Sequence, residues 1–491
     1  MNQLKNKLFD CKYIRYFAWD FVSLIIFWGG MLRKSFTSDT ISHMVASDAD
    51  VLVNIEQGRY IKALGDYLLL KIGLRTTTNL SVTILCAFML LAMTMVILQM
   101  VFSQWEPTDL MEKVLFNATI NFWVYNVLFV ENLIFSEVSV YFALAYLGAA
   151  IAVACYTKRK YLCMLIALGI SVCAYQYAVC FAAIYLVFYI FLCERKLSLR
   201  TVKRELFVLT MTFGMGVLNL ISIFVLVRLN VISHFFKSAG TGSVMTKLMQ
   251  MMDSFVGLHK DASGIFPDIW LPLLVMIMVE VLLIIDTVKG KKYQQFLLLS
   301  IVSMGSCILL YIIPLAQEKF FFPPRMAFCF FAVQGMIMAS AYVLIESRAL
   351  QKILIIGCAG YLLVHLLFAN FTVTNHFVSN TLDKVYVRMT YEKIEKYERD
   401  TGNEVENLCV INDTDAPPYY DEVNYTSDQI NERSIGILSV SIMEVVTGRQ
   451  FNKVEMDEEV YKKYFEGKNW DYFDPEEQIV IIGDTAYWCV F

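Results

Sequence analysis

Long apolar runs, separated by short polar connections, occupy most of the chain between residues 16 and 371. An α-helix needs about 20 mostly apolar residues to cross the hydrocarbon layer of a membrane. The pattern predicts eleven such helices, at 16–32, 79–103, 114–130, 138–157, 161–176, 177–193, 206–228, 269–286, 296–315, 326–345 and 353–371. It therefore predicts an all-α polytopic membrane body.

Two long polar loops interrupt this body. Residues 33–78 follow the first predicted helix, and residues 229–268 separate the seventh from the eighth. With eleven crossings, both loops lie on one side of the membrane, the side that also receives the C-terminal tail. A chain that only crossed the membrane would not need large loops on one face, so we expect function there.

The tail has the pattern of a small folded domain. Residues 383–400 alternate apolar and charged positions as a helix does, and residues 407–412 and 478–482 are short apolar runs typical of strands. Residues 434–446 fit either a helix or a strand. We therefore divide the chain into a membrane body, 1–375, and an acidic soluble domain of α/β or α+β type, 376–491.

Composition supports this division. Hydrophobic residues make up 57% of the 491 residues and charged residues only 18%, which excludes a fully soluble or disordered chain. Acidic residues outnumber basic ones about two to one in 381–491, so the membrane body is net basic. The chain has no general basic field for a phosphate backbone, which argues against nucleic-acid binding.

Basic residues in the short loops predict the orientation, because cytoplasmic loops carry an excess of Lys and Arg. The loops that return to the side of the N-terminus contain Lys158, Arg159, Lys160, Arg195, Lys196, Arg200, Lys203, Arg204, Lys289, Lys291, Lys292, Arg348 and Lys352. We therefore expect a multi-pass protein of the cytoplasmic membrane with a cytoplasmic N-terminus and an extracytoplasmic C-terminal domain.

The first outside loop contains the richest set of chemical groups. Asp39, Asp48, Asp50 and Glu56 lie close to Arg59 in the sequence. A carboxylate at a membrane face suits a general base, since apolar surroundings raise its pKa and the aqueous side supplies substrate. The competing interpretation is a solvated loop in which these acids cap short helices.

Two further outer turns carry polar groups. Glu131 and Asn132, with Glu137, lie in an apolar stretch at the end of the third predicted helix, where buried charges are candidates for function. Tyr175 and Gln176 lie in the turn between the fifth and sixth helices, where they could bind sugar hydroxyls. The alternatives are an exposed acidic turn and ordinary interfacial tyrosines.

Cations on the outer side are candidates for binding a lipid phosphate. His234 and Lys237 follow the seventh helix, and Lys319 and Arg325 flank an aromatic and proline-rich stretch. A guanidinium fork matches phosphate oxygens, although such residues also anchor helices at the interface. The chain has five His residues and no metal-type spacing of its Cys residues, so we predict no cofactor; no residue pattern indicates a divalent metal, which stays open.

Taken in order, these motifs resemble the Gtr-type polytopic glucosyltransferases, which belong to the GT-C class of membrane glycosyltransferases. The resemblance covers most of residues 20–345. It rests on Asp39, Gly58-Arg59, Glu131-Asn132-Leu133 with Phe135, Tyr175-Gln176, the segment 232–238 and Pro324-Arg325. One feature departs from the class: many members have two adjacent acids in the first outside loop, whereas here Asp39 stands between Ser38 and Thr40.

The resemblance implies transfer of a monosaccharide, glucose in the family, from a polyprenyl-phosphate donor to an extracytoplasmic glycan, with inversion. It places the base on Asp39 first, with Asp48 and Asp50 as further candidates. Arg59, Lys237, Arg325 and His234 would bind the donor phosphate, and Glu131, Asn132, Tyr175 and Gln176 the sugar or acceptor. The expected partners are donor, acceptor and membrane lipid.

Two other classes of protein stay open. A transporter or flippase of a lipid-linked saccharide would need ionisable residues deep in its helices. Asp20 and Glu280 are the main such residues here. A non-enzymatic sensor or assembly protein would use the acidic tail as a binding surface.

Overall fold

The structure, a computed structural model, describes residues 11–45, 49–232, 243–260, 270–317, 320–412, 419–423, 428–468, 470 and 472–490. Within these ranges the chain is mostly helical, with four short strands near its C-terminal end. The helices of the first 228 residues are α1 (Cys11–Trp28), α2 (Ser38–Val45), α3 (Ala49–Glu56), α4 (Tyr60–Lys71), α5 (Leu80–Phe102), α6 (Leu110–Ile120), α7 (Glu131–Ile134), α8 (Ser139–Thr157), α9 (Tyr161–Ala174), α10 (Ala178–Glu194) and α11 (Leu199–Arg228).

The second half of the chain continues this helical architecture. Its helices are α12 (Val244–Lys260), α13 (Trp270–Gly290), α14 (Tyr293–Leu309), α15 (Ile312–Ala316), α16 (Pro324–Ala327), α17 (Cys329–Leu344), α18 (Arg348–Thr401), α19 (Ile435–Thr447), α20 (Glu458–Tyr464) and α21 (Pro475–Gln478). Its strands are β1 (Asn407–Asn412), β2 (Asn452–Lys453), β3 (Ile479–Ile482) and β4 (Thr485–Val490). Short 3-10 helices at Gly29–Leu32, Thr76–Asn79, Ser103–Trp105 and Val127–Val130 join some of these elements.

Several helices have the length and apolar character that a membrane span requires. In the described part of the chain there are six: Thr76–Trp105, Ser139–Thr157, Leu199–Arg228, Leu271–Gly290, Pro324–Leu344 and Arg348–Thr401. The apolar helices α9, α10 and α14 are shorter. These helices indicate a membrane protein, while the count of eleven spans stays a prediction.

The predicted helix 114–130 is not a single helix. α6 ends at Ile120, and irregular turns follow until a 3-10 helix at Val127–Val130. The Asn126 side-chain amide donates to the carbonyl oxygens of Phe122, at 3.1 Å, and of Trp123, at 2.6 Å. A short amide side chain that bonds nearby backbone competes with helix formation, which explains the break in an otherwise apolar run.

The helices pack around α10, whose residues are almost all buried. α8 packs against α5, α9 and α10, and α10 also contacts α11, α14 and α17. Broken backbone such as residues 121–126 is tolerated at membrane depth only where protein surrounds it or it lines a cavity. Here the surrounding helices bury Phe122, Trp123 and Val124 completely.

The tail forms a small mixed sheet with strand order β2-β1-β4-β3. β1 pairs in parallel with β2 and β4, whereas β3 and β4 are antiparallel neighbours. The prediction of strands at 407–412 and 478–482 is confirmed, and residues 434–446, which fitted either type, form α19. The predicted helix 383–400 is the end of α18, which continues without a break from the apolar segment into the tail.

The first outside loop packs onto the tail. Phe36 and Ile41 join the same hydrophobic core as Val387 of α18 and Ile442 of α19, and all four are buried. α2 also lies directly against α19. This packing brings the loop that carries Asp39 and the tail to one end of the helix bundle.

Candidate functional site

The site is centred on a buried ion pair between Glu131 and Arg325. Arg325 Nη1 donates to Glu131 Oε1 at 2.7 Å, and the Arg325 backbone N–H donates to Glu131 Oε2. Arg325 follows Pro324 at the start of α16, where backbone N–H groups have no intrahelical partner. Glu131 therefore accepts hydrogen bonds both from the side chain of Arg325 and from a backbone N–H group at the start of α16. Burial raises the pKa of the Glu131 carboxyl, and the charge of Arg325 partly offsets that rise.

The tail contributes a second carboxylate to Arg325. Asp428, which adopts a left-handed backbone conformation, accepts a hydrogen bond from Arg325 Nη1. The rings of Phe135 and Phe321 lie 5.1 and 5.2 Å from the guanidinium carbon. Arg325 thus lies between a buried acid of the membrane body and a partly exposed acid of the tail.

Arg59 is held beside this pair by a tight turn between α3 and α4. Gly58 has a φ of 71°, and an added Cβ would lie 2.7 Å from Asn219 Oδ1. Asn219 Nδ2 donates to the Gly58 carbonyl oxygen at 2.9 Å, and Gln176 Nε2 donates to the Gln57 carbonyl oxygen. The turn therefore needs glycine, and two amide side chains fix its position.

The guanidinium of Arg59 keeps one donor without a partner in the part of the chain that the structure describes. Its carbon lies 5.9 Å from the centre of the Tyr175 ring, and its Nε is buried without a hydrogen-bond partner in the described structure. Burial lowers the pKa of Arg59; Asp39 opposes this effect, while the positive charge of Arg325 adds to it. Two guanidinium groups with one unused donor favour an anion with several oxygen atoms, such as a phosphate.

Asp39 lies in the first turn of α2 with an exposed side chain. Its backbone N–H donates to Gln429 Oε1 of the tail at 3.3 Å. An open pocket of about 240 Å³ lies between α2 and the tail, lined by Ser38, Asp39, Asp428, Gln429 and Glu432. Since Asp428 also bonds Arg325, the pocket adjoins the ion pair. Its carboxylates, hydroxyls and amide can accept hydrogen bonds from the hydroxyls of a polar substrate.

The carboxyl groups around this pocket differ in environment. Burial raises the pKa of Glu432 to about 7, and the nearby negative charges of Asp428 and Asp39 add to the rise. Asp39 does not cap α2: the Thr40 backbone N–H donates to Thr37 Oγ1 at 3.1 Å instead. The competing interpretation of Asp39 as a helix cap is therefore wrong, and its carboxylate is free to face the pocket.

A polar network fastens the first outside loop to the helix bundle. Thr40 Oγ1 donates to Glu137 Oε2 at 2.7 Å, and Glu137 is fully buried. Lys62 pairs with Asp66 at 2.6 Å, and the hydroxyl of Tyr141 donates to the other oxygen of Asp66 at 3.0 Å. These contacts fix α2 and α4 relative to the bundle, and so fix Asp39 relative to Arg59.

Asn132 and Gln176, two predicted sugar-binding residues, bond within the protein, while Asn132 Nδ2 is buried without a partner in the described residues. Asn132 Oδ1 accepts a hydrogen bond from the Tyr146 hydroxyl at 2.7 Å, and the Asn132 side chain is 1% exposed. Gln176 holds the Gly58 turn, as described above. Tyr175 lies beside the cations, since the centre of its ring is 5.9 Å from the guanidinium carbon of Arg59.

Some predicted residues cannot be placed in the site. Asp48, His234 and Lys237 lie outside the described residues. Asp50 lies in α3, and its position in the helix is all that the structure describes of it. Conversely, sequence reasoning missed Asp428, Glu432 and Asn219. No local pattern marks these three residues, because each meets the site through tertiary contacts.

The comparisons give no relative from which to transfer a role. No protein-family profile, no curated protein and no solved structure matches this chain. In the part of the chain that the structure describes, no group of three or more His, Cys, Asp or Glu side chains is arranged to hold a metal ion. No residue role is therefore taken from a relative.

Proposed function

We propose that the protein is a membrane glycosyltransferase that moves a monosaccharide from a polyprenyl-phosphate donor to an extracytoplasmic glycan. The observation that carries the proposal is the buried donor of Arg59, unpaired in the described structure. Among the described residues its buried Nε finds no hydrogen-bond partner, and the guanidinium lies beside the Tyr175 ring in the field of Arg325. A buried donor without a partner is costly, so the site is complete only with a hydrogen-bond acceptor in place, and a guanidinium group binds an anionic oxygen most strongly.

The proposed reaction uses Asp39 as general base. The Asp39 carboxylate takes the proton of an acceptor hydroxyl, whose oxygen attacks the anomeric carbon from the face opposite the phosphate. The bond between that carbon and the phosphate oxygen breaks, and the polyprenyl phosphate leaves with the electron pair. Arg59 and Arg325 stabilise the charge that develops on the leaving group. Configuration at the anomeric carbon is inverted.

The site's position supports a lipid-linked donor. Arg59 and Arg325 lie where polar loops cover the end of an apolar bundle. A polyprenyl chain can stay against apolar helices while its sugar reaches the polar pocket beside Asp39. We place the protein in the cytoplasmic membrane with this end outside, which follows from the basic loops on the opposite side.

A transfer assay tests the proposal. Purified full-length protein in lipid nanodiscs receives radiolabelled polyprenyl-phosphate glucose and a crude extracellular glycan. Loss of a general base lowers the rate by about 100-fold or more, so we expect Asp39→Asn to abolish transfer and leave donor binding unchanged. Asp400→Asn, an exposed acid at the end of α18, is the matched control and keeps full transfer. Normal transfer by Asp39→Asn contradicts the assignment of the base.

Transport of a lipid-linked saccharide is the second candidate, and one observation favours it. Asp20 of α1 is buried, and both its oxygens accept from Gln99 Nε2 of α5 at 3.0 Å. Ionisable groups at such positions often belong to transport paths. Accumulation of intact labelled lipid in the inner leaflet of sealed vesicles, with no labelled glycan, favours transport over transfer.

A further inference from the structure

Helix α12 packs on one end of the helix bundle. It lies within residues 229–268, which the sequence pattern predicts as a polar outside loop, and the structure describes its side chains over residues 245–253. Within this stretch, Lys247 is 7% exposed, and its Nζ donates to the Leu315 carbonyl oxygen of α15 at 3.1 Å. Met251, about one turn further on, packs against the main apolar core. Lys247 and Met251 therefore face the protein.

A second side of α12 is apolar and exposed. We call it the methionine stripe and define it by Met245, Leu248, Met249 and Met252. The three methionines are 66%, 53% and 59% exposed, and Leu248 is 40% exposed. Successive residues of an α-helix are about 100° apart, so these four side chains share an arc of about 100°. A helix surrounded by water has its lysine in solvent and its apolar side chains against the protein, which is the reverse of the arrangement here.

A third side of α12 is polar. Thr246, Gln250 and Asp253 are all exposed, and their spacing of four and then three residues places them in one row along the helix. Around the helix axis, the order is therefore protein, apolar surface and polar surface. These three sides match a helix that packs on a membrane protein at the level of the lipid head groups, with hydrocarbon on one side and water on the other. The apolar face of such an interfacial helix lies about 5–10 Å into the boundary between head groups and acyl chains.

The apolar outer surface of α14 leads towards α12. This predicted span has an exposed apolar row that consists of Leu297, Ile301, Met304 and Ile308. Ile308 lies four residues, about one helical turn, before the first residue of α15. Since α12 contacts α15, the methionine stripe continues an apolar exterior and does not interrupt a polar one. This continuity favours lipid over a protein partner as the occupant of the stripe.

We propose that α12 is an interfacial helix whose methionine stripe lies against the acyl chains of the bilayer, on the side of the membrane that carries the C-terminal domain. Methionine side chains are flexible and polarisable, so they adapt to disordered hydrocarbon chains. Thr246, Gln250 and Asp253 face the head groups and water. Lys247 does not reach the head groups, because it is bonded to α15. This lipid-binding surface does not depend on the proposed glycosyltransferase activity.

Two chemical labels, located by mass spectrometry, test the proposal on the unmodified protein. Phosphatidylcholine nanodiscs with one copy of the chain each are treated with hydroxyl radicals generated in the water, or contain a phospholipid with a diazirine in one acyl chain. We expect the methionine stripe to oxidise at the rate of Met304 and at least about fivefold more slowly than Met389, because lipid covers the apolar face of an interfacial helix. Met389 is the matched control, since it is an exposed methionine of α18 in the tail. The diazirine should label the stripe and Met304, and not Met389.

The two labels together distinguish lipid from the other possible surroundings of the stripe. Oxidation of the stripe at the rate of Met389 places it in water and overturns the proposal. Slow oxidation without labelling by the diazirine shows that another part of the chain covers the stripe, and this result also overturns the proposal. A second copy cannot be the cover in this experiment, because each nanodisc contains one chain.

A pair of variants at neighbouring positions provides the second arm. Met249→Asp puts a charge on the methionine stripe, whereas Gln250→Asp puts the same charge on the polar row. We expect Met249→Asp to raise the oxidation rate of Met252 about threefold or more, because a charge is costly in hydrocarbon and displaces the helix from it. Gln250→Asp should leave that rate unchanged. Equal effects of the two substitutions overturn the proposal, and if Met249→Asp fails to fold, the labelling of the unmodified protein decides alone.

Discussion

Arg325 and Glu131 are joined by two hydrogen bonds, one from the guanidinium and one from the backbone, although 194 positions separate them in the chain. The pair ties the irregular segment after α6 to the start of α16. Asp428 adds a third contact from the tail. One cation therefore connects both halves of the membrane body with the C-terminal domain, which makes Arg325 the structural centre of the proposed site.

We expect Glu131→Gln to destabilise the protein strongly. The substitution removes the charge of a fully buried partner and leaves Arg325 with Asp428 as its remaining carboxylate in the described structure. Breaking a buried ion pair costs about 3 kcal/mol or more. Thermal unfolding in detergent measures the loss. Glu458→Gln, which removes an exposed partner of Lys462, should change the unfolding free energy by less than about 0.5 kcal/mol. Equal effects of the two substitutions contradict a structural role for the pair.

We expect Gly58→Ala to weaken phosphate-lipid binding by displacing Arg59. The new Cβ meets Asn219 Oδ1 and the Ile223 side chain, both at 2.7 Å, so the turn must move. Gly73 is the matched control, because its φ of 73° is nearly the same and no atom lies within 4 Å of an added Cβ. Both variants pay the conformational cost of about 1 kcal/mol, and only Gly58→Ala moves a guanidinium.

Affinity for polyprenyl phosphate distinguishes the two glycine variants. Gly58→Ala should bind about tenfold more weakly than wild type, and Gly73→Ala should bind equally well. If both variants lose affinity to the same extent, the effect belongs to backbone strain and not to the position of Arg59.

We expect Asp428→Asn to strengthen binding of an anionic ligand. Asp428 accepts a hydrogen bond from Arg325 Nη1, a donor that we propose for the phosphate, and its negative charge opposes the incoming anion. Removing that charge should tighten polyprenyl-phosphate binding about three- to tenfold, and high salt should reduce the gain. Asp421→Asn, an exposed acid of the tail, should leave the affinity unchanged. Weaker binding by Asp428→Asn would instead make Asp428 part of the ligand site.

We expect Glu432 to make the tail less stable as the pH rises. Burial, with the charges of Asp428 and Asp39, raises the pKa of Glu432 to about 7 from an ordinary value of 4.5. A carboxyl whose pKa is higher in the folded state stabilises the fold fully below the unfolded pKa, and this stabilisation is lost as the pH rises to about 7.

The unfolding temperature measured between pH 5 and 8 tests this effect. As the pH rises over this range, the free energy of unfolding of wild type should fall by about 1 kcal/mol more than that of Glu432→Gln. The figure is modest because the Glu432 side chain is partly exposed. All other titrating groups are common to both proteins, so the difference curve isolates Glu432. Superimposable pH profiles rule out the effect.

The sequence predicts elements well where one periodicity dominates. The strand at 407–412 and the helix that begins at 178 were expected from their apolar runs. The break after Ile120 was not expected, because the run 114–130 is long enough to span a membrane. The sequence nevertheless contains a signal for the break, because Asn121 and Asn126 are short amides in an apolar run. In the structure, the Asn126 side-chain amide donates hydrogen bonds to the backbone carbonyl oxygens of Phe122 and Trp123.

The candidate site was predictable only in part. Arg59 and Arg325 stand out in sequence because each is a cation beside a Gly or Pro turn at the end of an apolar run. Asp428 does not stand out, since it is one acid among many in an acidic tail. Its contact with Arg325 depends on how the tail packs on α2, and no local pattern encodes that arrangement.

The most direct test of the account is a single-turnover experiment with wild-type protein in sealed vesicles, supplied with doubly labelled polyprenyl-phosphate sugar and an external glycan. We predict that the sugar label appears in the glycan with inverted anomeric configuration. We also predict that one polyprenyl phosphate is released for each sugar transferred. Movement of the intact lipid-linked sugar across the membrane, with no sugar in the glycan and no released polyprenyl phosphate, would contradict it.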